Sequence, residues 1–523
     1  MQQNECIPDN SDNTTCTYTD VFNDSELLSQ IRKLKQNFTS IKRINFVDCY
    51  FVKIPKEIFE IYPNVEVIDA SYASLESLDF LEGINKIQMI NASENHIKII
   101  DPRINERSVS DLETLDFSHN RISTIIPHTF EGSYKLKHLN LSHNQLTIID
   151  SKLLTSIKNL EVLNLDHNQI KQIRCDFKDF KPNWKELYLQ NNQLKILDTS
   201  LVKSVLILDI SHNNISEAKF HDSKMIELMI QNNNLTILTI GENLEKLDAS
   251  FNKRDSFNFE LNDNTKLRHL NLADSHIKLK EKEMKTVMNF TRLQYLNLNY
   301  ASSSNGFLHL EMLKDFKELE TLKLRKFLSS ADKLSENTFG GMTKLIELDL
   351  SRNYFKELDL NVLNASKNLE ILNLRDCAAH QITGWRNLRT LFPKLKNIDF
   401  YLNWLSCNET KEMIEDLKKE GIEIIDLELL GEEKFLEKNC RIYSDEDYDE
   451  EDYDDEDYKN TQKHDKKGKK DETEKSGHAW WIIATIFIIC VVIGGLVYVI
   501  RKFDIFTNKT TQNHSEEFVG IEI

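Results

Sequence analysis

The sequence predicts an α/β solenoid, in which similar short coils stack side by side and a parallel β-sheet lines the concave side. Three observations support this prediction. Leucines recur with a period of about 24 residues over most of the 523-residue chain. An asparagine returns at the same place in most periods. Glycine and proline, which normally mark turns, number only 14 and 7, so the chain reuses one asparagine-supported turn.

The repeating unit has the pattern L-x-x-L-x-L-x-x-N-x-L. Its clearest copies are LETLDFSHNRI (112–122), LKHLNLSHNQL (136–146), LEVLNLDHNQI (160–170) and WKELYLQNNQL (184–194). The L-x-L segment alternates apolar and polar residues, which predicts a short strand with its leucines inward. Weaker copies bring the number of leucine-rich repeats to sixteen and begin at Ile41, Val65, Ile87, Val205, Met225, Leu244, Leu267, Leu293, Leu319, Leu345, Leu369 and Leu395.

The ninth position of the repeat is where the chain turns off the strand. An asparagine amide placed there can satisfy backbone groups that would otherwise be buried without a partner. Cys49 and Cys377 stand at the same position, and we expect them to be buried thiols. Ten repeats carry the asparagine: Asn95, Asn120, Asn144, Asn168, Asn192, Asn213, Asn233, Asn252, Asn353 and Asn403.

The two ends of a solenoid need caps, and small caps commonly need disulfides. We therefore predict disulfides that involve Cys6 and Cys16 before the repeats and Cys407 and Cys440 after them. Cys175 is the odd thiol, a candidate for intermolecular pairing or a partly buried spare cysteine. The predicted segments are an N-terminal cap (1–40), the repeats (41–406), a C-terminal cysteine cap (407–440), a disordered stalk (441–478), a transmembrane helix (479–500) and a short cytoplasmic tail (501–523).

The membrane prediction depends on 22 uncharged residues at 479–500, about the length that crosses a bilayer. Arg501 and Lys502 favour a cytoplasmic tail, but the lysines at 466–475 count against it. The amino terminus lacks an apolar signal region, as in a cytosolic tail-anchored protein. The paired cysteines favour a plasma-membrane protein with an extracellular N-terminal domain, whose signal peptide this sequence does not show. N-glycosylation acceptors support the same orientation and occur at Asn13, Asn23, Asn37, Asn91, Asn140, Asn214, Asn234, Asn289, Asn364 and Asn408.

The stalk contains the strip DEDYDEEDYDDEDY (445–458). Its eleven acidic residues account for −11 of the formal net charge of −18. Such a strip cannot fold, because self-repulsion and hydration outweigh burial. It is either a solvated spacer or a site of tyrosine sulfation at Tyr448, Tyr453 and Tyr458. Sulfated, it would dock basic partners through long-range attraction.

No catalytic motif is present: the chain lacks a phosphate loop, paired CxxC, HExxH and GxSxG. We therefore predict no enzyme activity, cofactor, metal site or nucleic-acid partner. His119, His143 and His167 recur in consecutive coils, roughly 5 Å apart if the strands are in register. They could form a pH-sensitive strip or a weak metal site, although we expect ordinary repeat variants.

The concave strand face is the predicted binding surface, because a solenoid offers a rigid, extended sheet to partners. Tyr188 and Met229 are the expected apolar anchors, and the polar remainder favours a polar or basic ligand over a lipid. Between Phe251 and Phe339 the repeats lose their asparagine, through function or through drift. The exposed column is Asp116, Asn140, Asn164, Tyr188, Asp209, Met229, Asp248, Asn271, Asn297, Lys323, Asp349, Asn373 and Asp399.

The tandem repeats at 41–406, the NWLSC string at 403–407 and the single span resemble extracellular leucine-rich repeat receptors. The chain is most similar to the transmembrane branch of the mosquito leucine-rich immune proteins. Soluble members of that family carry coiled coils after the repeats, whereas 441–478 has no heptads. The resemblance implies recognition of microbes and partnership with complement-like effectors.

We therefore expect a cell-surface receptor that binds a protein or microbial ligand in innate immunity. The alternatives are an adhesion or developmental co-receptor and a cytosolic tail-anchored scaffold. Whether the chain forms a homodimer or a heterodimer is left open.

Overall fold

The computed structural model describes one repeat array and its two ends. All described residues belong to the first of two compact units, residues 1–442. They are 7–8 and 14–439, with gaps at 35–36, 82–85, 102–110, 128, 131–132, 151–152, 154–156, 158, 175–181, 222, 253–257, 261–265, 276–277, 280–286, 288, 304–309 and 329–333.

A single sheet of nineteen strands forms one side of the array. Every strand pairs with the next one along the chain, in parallel except for β1 and β2, which are antiparallel. The strands are β1 Ile7–Pro8, β2 Thr15–Thr19, β3 Arg43–Val47, β4 Val67–Asp69, β5 Met89–Asn91, β6 Thr114–Asp116, β7 His138–Asn140, β8 Val162–Asn164, β9 Glu186–Tyr188, β10 Ile207–Asp209, β11 Glu227–Met229, β12 Lys246–Asp248, β13 His269–Asn271, β14 Tyr295–Asn297, β15 Thr321–Lys323, β16 Glu347–Asp349, β17 Ile371–Asn373, β18 Asn397–Asp399 and β19 Glu423–Ile424.

Strands β3 to β18 correspond one to one with the sixteen predicted repeats, which confirms the leucine-rich repeat solenoid. The central residue of each three-residue strand points into the core: Leu163, for example, is buried and lies opposite Leu139 and Leu187. Identical positions therefore stack from coil to coil and form one continuous apolar core.

The other side of the coils is built from short elements. Two- and three-residue strands pair there in parallel: 99–100 with 124–125, 148–149 with 172–173, 217–219 with 237–239, 237–239 with 258–260, 278–279 with 302–303, and 357–359 with 381–383. Single helical turns lie at Ile58–Ile61, Glu336–Phe339 and Leu388–Leu391, and 3₁₀ turns at Asp79–Leu81, Thr199–Val202, Leu310–Asp315, Leu360–Leu363 and Trp385–Asn387.

The turn after each strand has the same backbone in all sixteen repeats. Position eight is left-handed, with φ between 48° and 60°, although none of the sixteen residues is glycine. Left-handed backbone strains most side chains, so tertiary bonds must hold it in place. The residues are Asp48, Tyr72, Glu94, His119, His143, His167, Asn191, His212, Asn232, Phe251, Asp274, Tyr300, Lys326, Arg352, Asp376 and Leu402.

The asparagine at position nine supplies these bonds. The Oδ1 atom of Asn192 accepts the backbone N–H of Ile170 in the preceding coil at 2.8 Å. Its Nδ2 atom donates to the carbonyls of Leu165, Leu189 and Gln190. All ten predicted asparagines make such bonds, which confirms their predicted role.

The sheet continues without interruption through the region where the asparagine is missing. Position nine is occupied there by Ser275, Ala301 and Phe327, all of which are buried. The Ser275 hydroxyl donates to the carbonyl of Leu272 in its own coil. The irregular repeats therefore keep the register of β13 to β15 without an asparagine ladder.

The two ends of the array are covered by helices. Helix Asp24–Lys33 is capped by the residue just before it, Asn23, whose side chain accepts a hydrogen bond from the backbone N–H of Glu26. After the last repeat, Ser406 lies just before helix Cys407–Lys419 and caps it in the same way. Two shorter helices, Leu427–Leu430 and Glu432–Asn439, complete the carboxyl end.

The structure agrees with some of the predictions made for the cysteines and disagrees with another. Cys49 and Cys377 are free and buried at the ladder position, as predicted, and each thiol lies near backbone carbonyls. Cys16 takes part in a disulfide. Cys407 carries a free thiol, contrary to the predicted disulfide; it is the first residue of the Cys407–Lys419 helix, where its side chain is partly exposed.

Several predictions concern residues outside the described part of the chain. These are Cys6, Cys175 and Cys440, the stalk with Tyr448, Tyr453 and Tyr458, and the predicted membrane span at 479–500. Within the described part, no helix combines the length and apolar character that crossing a bilayer requires.

Candidate ligand-binding face

The predicted binding column lies on one face of the sheet. Its members occupy the fifth position of the repeat, the last residue of each strand, and stand in register, as with Asn140, Asn164 and Tyr188. Residues at the third position share this face, because side chains alternate along a strand. We call this surface, formed by positions three and five, the solvent face.

Most of the column also has a structural task that the sequence analysis missed. The Oδ1 atom of Asp116 accepts the backbone N–H of Ser118, two residues on, at 2.9 Å. The same bond, at 2.9–3.2 Å, recurs at Asn140, Asn164, Asp209, Asp248, Asn271, Asn297, Asp349, Asn373 and Asp399. These Asx turns fix the start of the left-handed turn. In several repeats Asp or Asn at position five is followed by Ser two residues later, and this pattern is the sequence signal from which the Asx turns could have been predicted.

Two column members contradict the expectation of exposure. Asn297 and Asp399 retain only 8% and 3% of their accessible surface. At Asp399, Arg375 lies against the carboxylate at 3.4 Å and stacks over the ring of Tyr401. Lys323 keeps its place on the face but pairs with Glu347 at 2.8 Å. Tyr188 and Met229 are thus the column members left without an Asx turn or an ion pair.

A line of alternating charge borders the solvent face at the second position of the repeat. Lys137 pairs with Glu113 at 2.8 Å, and Lys185 pairs with Glu161 at 2.7 Å. Hydrogen bonding and attraction from Lys137 lower the pKa of the Glu113 carboxyl. Both pairs are well exposed, so they contribute little to stability. They make this part of the border strongly polar.

The charged border is interrupted in the middle of the array. Position two is Leu206 and then Ile226 in adjacent coils, and the backbone N–H of Ile226 donates to the carbonyl of Leu206. Ile207 lies beside them at position three. Together with Tyr188 and Met229, which stand on either side of Asp209 in the column, they form what we call the apolar patch. Ile226 keeps 37% of its surface exposed.

Tyr188 is held at the edge of the apolar patch. Its hydroxyl donates to a carboxylate oxygen of Glu186 at 3.0 Å. Burial, together with that carboxylate, raises the pKa of Tyr188 to about 12. The phenol is therefore neutral at physiological pH and presents its ring to the face.

A stack of histidines lies at the turn edge of the same sheet. The imidazole centroids of His119 and His143 are 4.0 Å apart, and those of His143 and His167 are 4.1 Å apart, with 11° between the ring planes in both pairs. All three residues hold the left-handed position eight, where Asn, Asp and His are enriched. The expected spacing of roughly 5 Å is thus shortened by ring stacking.

Carboxylates flank the histidine stack. The Nδ1 atom of His119 lies 3.4 Å from Glu94, and that of His167 lies 3.5 Å from Asp166. Burial, and then repulsion from His119 and His167, lowers the pKa of the His143 imidazole below its usual value. His143 is therefore neutral at physiological pH.

Replacing His143 with asparagine is expected to reduce the loss of stability in acid. A lowered pKa means that the unfolded chain binds the proton more readily, so the wild type loses stability as pH falls from about 7.5 through 6.5. Asparagine occupies the same turn position at Asn191 and Asn232, so the fold should tolerate it. Chemical denaturation of both proteins from pH 7.5 to 5, in metal-free buffer, measures the difference; parallel pH profiles would contradict the expectation.

Comparison with known proteins places this geometry in a class. Residues 109–170 match the family described as leucine rich repeat. Over 94 residues the chain is 33% identical to the rat leucine-rich repeat-containing G-protein coupled receptor 5, a match that covers 18% of this chain and 10% of the receptor. Rabbit fibromodulin is 26% identical over 109 residues, covering 21% of this chain and 71% of fibromodulin. The fold is therefore that of the leucine-rich repeat proteins.

Solved structures of other leucine-rich repeat proteins have a similar fold. A chain of the Drosophila Toll–Spätzle complex has a TM-score of 0.50 and 17% identity, covering 75% of this chain and 57% of that one. The LRIM1/APL1C complex of mosquito proteins has a TM-score of 0.46 and 18% identity, covering 97% of this chain and 79% of that one. At these identities the likeness concerns the fold alone. Neither the comparisons nor the described residues indicate catalysis.

Proposed function

We propose that this protein is a recognition receptor that binds a protein partner through the apolar patch on its solvent face. The observation that carries the proposal is the interruption of the charged border at Leu206 and Ile226, beside Tyr188 and Met229. Binding energy concentrates in a few central anchors, among which tyrosine is enriched, and the surrounding contacts exclude water from them. The paired strands beneath them keep the surface rigid, which limits the entropy lost on binding.

The Toll–Spätzle complex supports a protein as the ligand, because that leucine-rich repeat structure holds a protein partner. The mosquito LRIM1/APL1C complex is likewise an assembly of two proteins. We propose innate immunity as the setting, with a microbial-surface component as the alternative ligand. An adhesion or developmental co-receptor would use the same face, and induction of the transcript by infection would separate the first use from the second.

Replacing Ile226 with glutamate is expected to weaken partner capture at least about tenfold, because a desolvated charge would lie inside the contact. Ile196→Glu is the matched control, since Ile196 is 77% exposed outside the patch. The experiment compares wild-type and variant ectodomain chains on the surface of immune cells, followed by cross-linking and quantitative mass spectrometry. Equal capture by wild type and both variants would contradict the proposal.

We also propose that the chain is held at the plasma membrane by residues 479–500, with the repeats outside the cell. The test is the mobility of the expressed protein with and without N-glycosidase, because cytosolic chains carry no N-glycans. A shift supports the extracellular orientation, and its absence favours the tail-anchored scaffold.

On the stalk, mass analysis of the secreted chain tests sulfation of Tyr448, Tyr453 and Tyr458. An unmodified mass would mean that the acidic strip is only a spacer.

A further inference from the structure

The histidine stack brings metal-binding atoms together. His143, Asp166 and His167 each offer one ligand atom, and these atoms lie within 4.8 Å of one another. Within the part of the chain that the structure describes, this is the one group of three or more His, Cys, Asp or Glu side chains with such spacing. The convergence follows from the fold, because adjacent in-register coils place position eight of one coil over position eight of the next.

Asp166 supplies the carboxylate of the cluster. One of its oxygens, Oδ2, accepts from Gln190 at 2.9 Å and lies 3.5 Å from His167. The other, Oδ1, is buried and has no hydrogen-bond partner. A buried oxygen without a donor is unfavourable, and position seven leaves such atoms in other coils too, at Gln190, Gln231 and Ser351. The oxygen beside His167, Oδ2, is therefore the one that places Asp166 in the cluster.

The repeat itself does not demand a carboxylate at this position. Position seven is serine in other coils, at Ser118, Ser142 and Ser211. Nor does it demand histidine at position eight, which is asparagine at Asn191 and Asn232. The donor set is therefore particular to these two coils, and the chain itself supplies structurally acceptable replacements for each member.

We propose that His143, Asp166 and His167 bind a divalent transition-metal ion, with zinc as the test case. Two imidazoles and one carboxylate suit zinc, copper or nickel better than magnesium or calcium. Three protein ligands leave a fourth tetrahedral position for water or a donor group from a partner. Because ring nitrogens bind in the ring plane, at least one of the stacked rings must turn about its Cβ–Cγ bond. Metal binding therefore breaks the stacking of the His143 and His167 rings.

Zinc titration of the full-length, tag-free chain in detergent tests the proposal, with competition against a chromophoric chelator as the readout. The wild type is expected to bind zinc at this site, and His143→Asn, His167→Asn and Asp166→Ser each to weaken that binding by tenfold or more. Binding should also weaken in acid, since imidazole must be neutral to coordinate. The matched control is His212→Asn, a position-eight histidine outside the cluster, which should bind zinc like the wild type.

The comparison between variants separates this site from other zinc-binding groups, such as the acidic strip at 445–458, which all variants share. Metal-free melting temperatures establish that the three variants are folded, and zinc is expected to raise the melting temperature of the wild type and of His212→Asn only. Equal zinc affinity in all five proteins, or no zinc binding by the wild type, would overturn the proposal. This test is independent of partner capture at the apolar patch.

Discussion

Replacing Asn192 with alanine is expected to lower the free energy of unfolding by about 3 kcal/mol. The change leaves the buried N–H of Ile170 without its acceptor and removes donors from the carbonyls of Leu165 and Leu189. An unpaired buried N–H alone costs about 1–3 kcal/mol. The two carbonyls keep a second donor each, from Asn168 and Asn213, which limits the total.

The control for Asn192 lies next to it in the chain. Gln193 has an exposed side chain, and Gln193→Ala is expected to change stability by less than about 0.5 kcal/mol. Urea denaturation followed by circular dichroism measures both variants. A similar small change for both residues would mean that water satisfies the turn without the asparagine.

Replacing Arg375 with alanine is the second large effect, with an expected loss of about 3 kcal/mol. Arg375 pairs with Asp399 at 3.4 Å and with Asp426, and so joins the last repeat to the carboxyl-terminal cap. The Asp399 side chain is 5% exposed, whereas that of Arg375 is 31% exposed, which moderates the loss. Without the guanidinium, Asp399 would be a buried charge with no close counterion.

The pH dependence distinguishes this cause from lost packing. Burial already raises the pKa of Asp399, and removing Arg375 should raise it further. A raised pKa in the folded state makes protonation stabilise the fold, so the deficit of Arg375→Ala should shrink in acid. Arg386→Ala is the control, because Arg386 and Glu412 pair at 2.6 Å with more than half of each side chain exposed; it should cost less than about 1 kcal/mol. A deficit that does not change with pH would favour lost stacking on Tyr401.

The candidate site shows how far sequence reasoning reaches. Tyr188 and Met229 were predicted as anchors from the strand pattern, and the structure places both in register on the solvent face. The pattern could not show that Leu206 and Ile226 interrupt the charged border. Position two lies just before the strand, and the residues that lie beside it belong to adjacent coils. Only the stacked structure shows which residues these are.

The disulfide predicted at Cys407 shows another limit. Cysteine spacing indicates where a cap lies but fixes neither pairing nor backbone geometry. The cap nevertheless begins where the sequence places it, at the helix that starts with Cys407. What closes it against the last repeat includes the Arg375 ion pairs, which join residues 24 and 51 positions apart.

The sequence by itself determined the solenoid, its sixteen coils and the asparagine ladder, because these follow from short periodic patterns that most coils repeat. Only the tertiary structure decided how the turn is held without glycine, which column residues are committed to Asx turns, and that His143, Asp166 and His167 converge. The physical reason is distance along the chain. The ladder asparagines and the stacked imidazoles find their partners in the neighbouring coil, about one period away, where only the register of the sheet brings them together.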